Sequence, residues 1–123
     1  MATRRRFLTT LLATGTLPAL SWADAGAPAW LSCARETEGA FALFGIRPDG
    51  ALAFRQPLPT RGHAGARHPA RPEAVVFARR PGTWALVLDC APGDVAARLA
   101  PPEGMQFNGH GAFLQGGALL VTS

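Results

Sequence analysis

The stretch Glu73-Ala74-Val75-Val76-Phe77-Ala78-Arg79-Arg80-Pro81-Gly82-Thr83-Trp84-Ala85-Leu86-Val87-Leu88-Asp89 holds two apolar runs split by a proline-glycine pair. Each run is too short for a helix and is rich in β-branched and aromatic residues, so each reads as a strand. Proline presets φ and glycine tolerates positive φ, so Pro81-Gly82 reads as the reversing turn between them. The same pattern occurs earlier in the chain. Trp30 and Ala74 open comparable strands 44 residues apart, Phe41 and Trp84 the next pair 43 apart, and Ala51 and Val95 the next 44 apart. Gly62-His63 and Gly109-His110 open a further pair, 47 apart, and Ala34-Arg35 and Arg55 have counterparts in Ala78-Arg79 and Arg98.

Working outward, nine strands are predicted: Trp30–Glu36, Phe41–Ile46, Ala51–Gln56, Ala64–His68, Ala74–Arg79, Thr83–Asp89, Val95–Ala100, Gly111–Gln115 and Ala118–Thr122. Pro48-Asp49-Gly50, Pro92-Gly93-Asp94 and Gly116-Gly117 supply further turns. Asp94–Leu99 could pass for a short helix, but its flanking prolines and its place in the repeat make it a strand. A unit of about 44 residues with four short strands is the blade of a β-propeller. The expected fold is therefore all-β: an incomplete propeller of about two and a half four-stranded antiparallel blades. Blade one covers about 29–60 and lacks an inner strand. Blade two covers about 61–101, and blade three begins at about 108–123. A small sandwich of nine strands satisfies the spacing but not the period. One complete and two partial units fall short of the roughly three repeats an array needs, so a closed, independently stable propeller is not expected.

The first residues carry a different signal. Thr3-Arg4-Arg5-Arg6-Phe7-Leu8 fits the twin-arginine export pattern through Arg4, Arg5, Phe7 and Leu8. The mildly apolar run to Leu20 is shorter than the roughly 20 residues a membrane span needs. Ala23-Asp24-Ala25 fits the small-x-small cleavage rule, with Ala23 and Ala25 at the key positions. Residues 1–25 are thus expected to be a signal peptide cut after Ala25. The protein is expected to be periplasmic, to meet the twin-arginine translocase during export, and to keep no membrane span after cleavage. An ordinary secretory signal with an arginine-rich start leads to the same compartment. The twin-arginine route carries folded cargo.

Composition narrows the function. All 12 basic residues are arginine, and there is no lysine or tyrosine. Beyond residue 25, nine arginines face seven acids, a net charge of +2. They are scattered, with no basic stripe interleaved with aromatics, so nucleic-acid binding has no footprint. Cys33 and Cys90 match no metal spacing. In an oxidising compartment they could form one disulfide or stay as small buried hydrophobes. No nucleophile elbow is present. Glu36 and Glu38 lie two apart in a loop, and Asp89 and Asp94 flank a turn that such residues usually cap. Trp30 and Trp84 read as packing residues within blades. No catalytic residue stands out.

His63 and His110 are the candidate ligand or metal residues, because they hold equivalent places near the expected axis. Neutral imidazole is a common ligand for transition metals. Each Gly-His step could equally be structural, bonding across strands. His68, before Pro69, reads as structural or exposed.

Arg5–Leu8, Ala29-Trp30-Leu31-Ser32, Arg61-Gly62-His63, His68-Pro69, Arg71-Pro72 through Pro81-Gly82 and Gly109-His110-Gly111 together resemble a bacterial family catalogued as domain of unknown function 1513. The resemblance implies an exported seven-bladed propeller of the YVTN or WD-repeat-like class, often encoded beside imelysin-type, iron-related periplasmic proteins. The chain departs from the pattern at Arg67, where an apolar inner-strand residue is usual. Family members are also about three times longer, so the chain resembles their first third. The resulting expectation is a binding or scaffold propeller with a metal or a periplasmic protein as partner, linked to metal or iron handling. An oxidoreductase-like propeller with a cofactor or metal at its axis is the alternative, and the sequence names no cofactor.

Overall fold

The computed structural model describes residues 19–123. Arg4, Arg5, Phe7 and Leu8 lie outside the described residues. All nine predicted strands form, with ends shifted by at most two residues: β1 Trp30–Arg35, β2 Phe41–Ile46, β3 Leu52–Leu58, β4 Gly62–Arg67, β5 Glu73–Ala78, β6 Ala85–Asp89, β7 Asp94–Leu99, β8 Gly111–Leu114 and β9 Leu119–Thr122. They make three open antiparallel sheets in chain order: β1-β2-β3, β4-β5-β6-β7 and β8-β9. Asp94–Leu99 is a strand, paired with β6. Two short 3-10 turns add to the strands, one at Trp22–Ala25 and one at Gln115–Gly117.

The middle sheet is buried on both faces, which is why β5 and β6 read as continuous apolar runs rather than alternating ones. Side chains alternate across a strand. Ala74 and Val76 on β5, with their cross-strand partners Leu88 and Leu86, face one way. There they join Leu43 and Leu58 of the first sheet, together with Cys90, Trp22 and Ala25, in one cluster. Val75 and Phe77, paired with Val87 and Ala85, face the other way. They pack against Phe107, Phe113 and Leu120 from the third sheet and the loop before it. Phe77 has no exposed surface, and its ring meets Phe107 edge to face, with centroids 5.8 Å apart. Gly111 at the start of β8 permits this closeness, since an added Cβ there would lie 2.6 Å from the Phe77 ring. β4, the first strand of the middle sheet, touches β1 on one side and β8 on the other.

The segment before β1 packs in a way the sequence did not foresee. Trp22–Ala25, read from the sequence as the end of a signal peptide, forms a turn whose Trp22 and Ala25 are only 6% and 5% exposed. The Trp22 indole N–H donates to the His68 carbonyl at 2.8 Å. Trp30 also differs: it is 58% exposed, because nothing covers its side of β1 among the described residues. Trp84 is half-buried against the first cluster, and its indole N–H donates to Thr60 Oγ1 at 2.8 Å.

Candidate metal-binding site

His63 and His110 come together although 47 residues separate them. His63 falls where the β4–β5 register shifts between Gly62 and Ala64, so it is the extra residue of a bulge. A bulge leaves its residue out of the ladder and re-aims its side chain. His110 directly precedes β8, the strand that lies beside β4. The two Nε2 atoms are 3.3 Å apart, and the rings stand at 78° with centroids 4.9 Å apart. Both rings are solvent-exposed. Gly109 makes the approach possible. Its φ is +93°, and an added Cβ would lie 2.6 Å from His63 Cδ2. A side chain there would be strained in backbone and would displace the His63 ring.

Beside the pair is a cleft of about 390 Å³ lined by His63, Ala78, Arg79, Arg80 and Asn108. Arg80 Nη2 donates to Asn108 Oδ1 at 2.9 Å, fixing the loop before His110. The lining contains two guanidinium groups and no carboxylate, so its field favours an anion. Among the described residues no three histidine, cysteine or acidic side chains gather closely enough to hold a metal ion. The pair can therefore supply two ligands, and the remaining positions of an ion fall to water or to a bound anion.

The other candidates are placed elsewhere. His68 is buried. Its Nδ1 accepts the backbone N–H groups of Ala70 at 3.1 Å and Arg71 at 2.9 Å, and its ring meets Phe113 at 5.0 Å. That is a structural role, one of the two the sequence allowed. Ala23 and Ala25 lie in the turn at the start of the described residues, far in sequence from the pair.

Cys33 and Cys90 are unpaired thiols in the first cluster. Burial pushes Cys33 up to about 11. Burial, with the neighbouring Asp89 charge, pushes Cys90 up to about 12. Both stay protonated near neutral pH, which makes them poor nucleophiles and poor metal ligands. Glu36 accepts from Arg55 Nε at 2.9 Å and also from its Nη2, and these bonds hold its carboxyl below the usual carboxylate range. Asp49 and Asp89 cap their own turns through the amides of Ala51 and Ala91.

Sequence reasoning missed Arg67, noting it only as a departure from the family pattern. Its guanidinium sits 4.4 Å from the centre of the Trp22 ring, and its Nη1 donates to the Pro28 carbonyl at 2.8 Å. It also missed Arg80 and Asn108, for which no local pattern existed.

No described helix is long and apolar enough to cross a membrane. No curated protein and no solved structure matches the chain. A family model does match, over residues 56–123, which takes in the end of β3 and everything after it, including His63, the cleft and His110. By that match the chain belongs to the family described as protein of unknown function (DUF1513).

Proposed function

We propose that the chain is part of an exported propeller-type binding protein, with His63 and His110 as two ligands of a transition-metal ion near the axis. One observation carries the reading: the 3.3 Å between the two Nε2 atoms. Two ligands of a tetrahedral ion with metal–nitrogen bonds of about 2.0–2.1 Å stand about 3.3–3.4 Å apart. A direct N–H···N bond between imidazoles prefers a shorter distance, near about 3.0 Å. The cationic cleft beside the pair supports an anionic co-ligand held by Arg79 and Arg80. The period of about 44 residues supports blades at about 29–60, 61–101 and 108–123. The twin-arginine motif at Arg4-Arg5 supports export and passage through the translocase. The site holds no hydroxyl or thiol nucleophile, and the two imidazoles are read as ligands.

Cobalt(II) or zinc(II) titration of the purified chain tests the site. Binding at one equivalent is expected. His63→Ala and His110→Ala should each weaken it by at least about tenfold, since even outer-sphere changes reach that size. Absence of binding, or equal binding by the double variant with its fold retained, contradicts the reading and leaves the pair as a structural contact.

A further inference from the structure

The segment around Trp22 bears on where the exported chain is cut. The small-x-small rule allows a cut after Ala25, which would remove Trp22. Yet Trp22 is 6% exposed and sits in the same cluster as Leu43, Val76, Leu86 and Leu88. Its indole N–H reaches the His68 carbonyl, and Arg67 covers its ring. Arg67 also spans Trp22 and the Pro28 carbonyl, 2.8 Å from its Nη1. The Ala25–Gly26 bond is poorly exposed. Ala25 is 5% exposed, Gly26 donates its amide to the Ala23 carbonyl at 3.1 Å, and Ala53 lies close enough that an added Cβ on Gly26 would stand 3.1 Å from it. A peptidase needs extended, accessible backbone, and cargo of the twin-arginine route is already folded when it meets one.

Four residues upstream the chain is more exposed. Ala19, Leu20 and Ser21 are exposed, and Ser21 is extended, with φ −128° and ψ 176°; its amide donates to Asp24 Oδ2 at 2.7 Å and its carbonyl accepts the Asp24 amide at 2.9 Å, surface bonds that open before a cut. Ala19-Leu20-Ser21 also satisfies the small-x-small rule. We propose that processing occurs between Ser21 and Trp22, so that Trp22 becomes the first residue of the mature protein and remains as the plug between the first two sheets. The proposal rests on the export reading. It does not depend on the metal site.

The test is the intact mass and N-terminal sequence of the chain recovered from the periplasm after expression of all 123 residues. A mature chain starting at Trp22 is expected. A start at Gly26, or an exported chain left uncut, overturns the proposal. Recovery only from the cytoplasm would overturn it together with the export reading it rests on. Plug function is measured separately on the full chain. Trp22→Ala should lower the melting temperature by roughly 10 °C or more, as expected for emptying an aromatic site in a small domain. Trp22→Phe should fall between, which keeps the measurement readable if the alanine variant fails to fold. An unchanged melting temperature in both variants overturns the retained-plug role.

Discussion

His68 is 4% exposed, and its Nδ1 gathers two backbone amides that would otherwise be left without partners in the loop after β4. Its carbonyl holds Trp22 and its ring supports Phe113, so one residue ties the turn before β1, the middle sheet and the third sheet together. Removing the acceptor takes away two part-buried bonds and leaves a gap at a buried ring, which together cost about 1–3 kcal/mol. His68→Ala should therefore lose about that much stability in denaturant unfolding, while His68→Asn, whose side-chain oxygen can accept the same amides, should recover part of it. Equal stability of wild type and His68→Ala would refute this role. The thiols carry a second prediction at this scale. Cys33 and Cys90 rise from an ordinary 9.0 to about 11 and about 12 on folding. Between those values the unfolded chain has released its thiol protons and the folded chain has not, so stability must fall as pH rises above about 9. Unfolding midpoints measured from pH 8 to 11 should decline, and less steeply in Cys33→Ala. A flat profile would contradict the burial of these thiols.

At the level of elements, all nine strands were legible in the sequence, and so was the all-β class. Short apolar runs with Pro, Gly and Asp between them leave little choice of secondary structure. Even Asp94–Leu99, which could have been a helix, followed the repeat. The ends were less legible. β3 extends two residues beyond Gln56, through Pro57 to Leu58, because Leu58 has a core to enter and strand propensity yields to burial. β4 begins two residues earlier than expected because its bulge lets Gly62 pair with Ala78 before His63 steps out. The Trp22 turn was not legible. Ala23-Asp24-Ala25 satisfies a processing rule, and only tertiary contacts reveal that Trp22, held by Arg67 and His68, and Ala25 enter a core while Ala23 and Asp24 stay exposed. In the candidate site, the equivalence of His63 and His110 was legible from the repeat. Their 3.3 Å approach was not, since it depends on the bulge in β4 and on the positive φ of Gly109. Trp30 went the other way: an aromatic at a strand start read as packed, but its partner surface is absent among the described residues.

For the whole molecule, we propose that the three sheets repeat one unit whose faces are made to be covered by the next. The middle sheet shows the rule, with a neighbour on each face. Among the described residues the outer sheets leave one face each open. Trp30 and Leu52 on the first sheet are 58% and 55% exposed, and Leu114, Leu119 and Val121 on the third are 48%, 50% and 51% exposed. By the 44-residue period Trp30 corresponds to Ala74, so the open face of the first sheet is the counterpart of the one the middle sheet turns toward it. The open face of the third sheet is the side turned away from the middle one, where a further unit would pack. The two faces are thus matching halves of a contact the interior already makes, and a head-to-tail pairing of copies would join them without closing. The β9 edge adds unpaired backbone groups among the described residues, which invite the same association. Sedimentation velocity of the purified chain over a range of concentrations, with thermal unfolding on the same samples, tests this most directly. Concentration-dependent oligomers and a broad transition are the expected result. A monomer at every concentration with one sharp, cooperative transition would contradict the claim and make a self-sufficient small β-sandwich the better description.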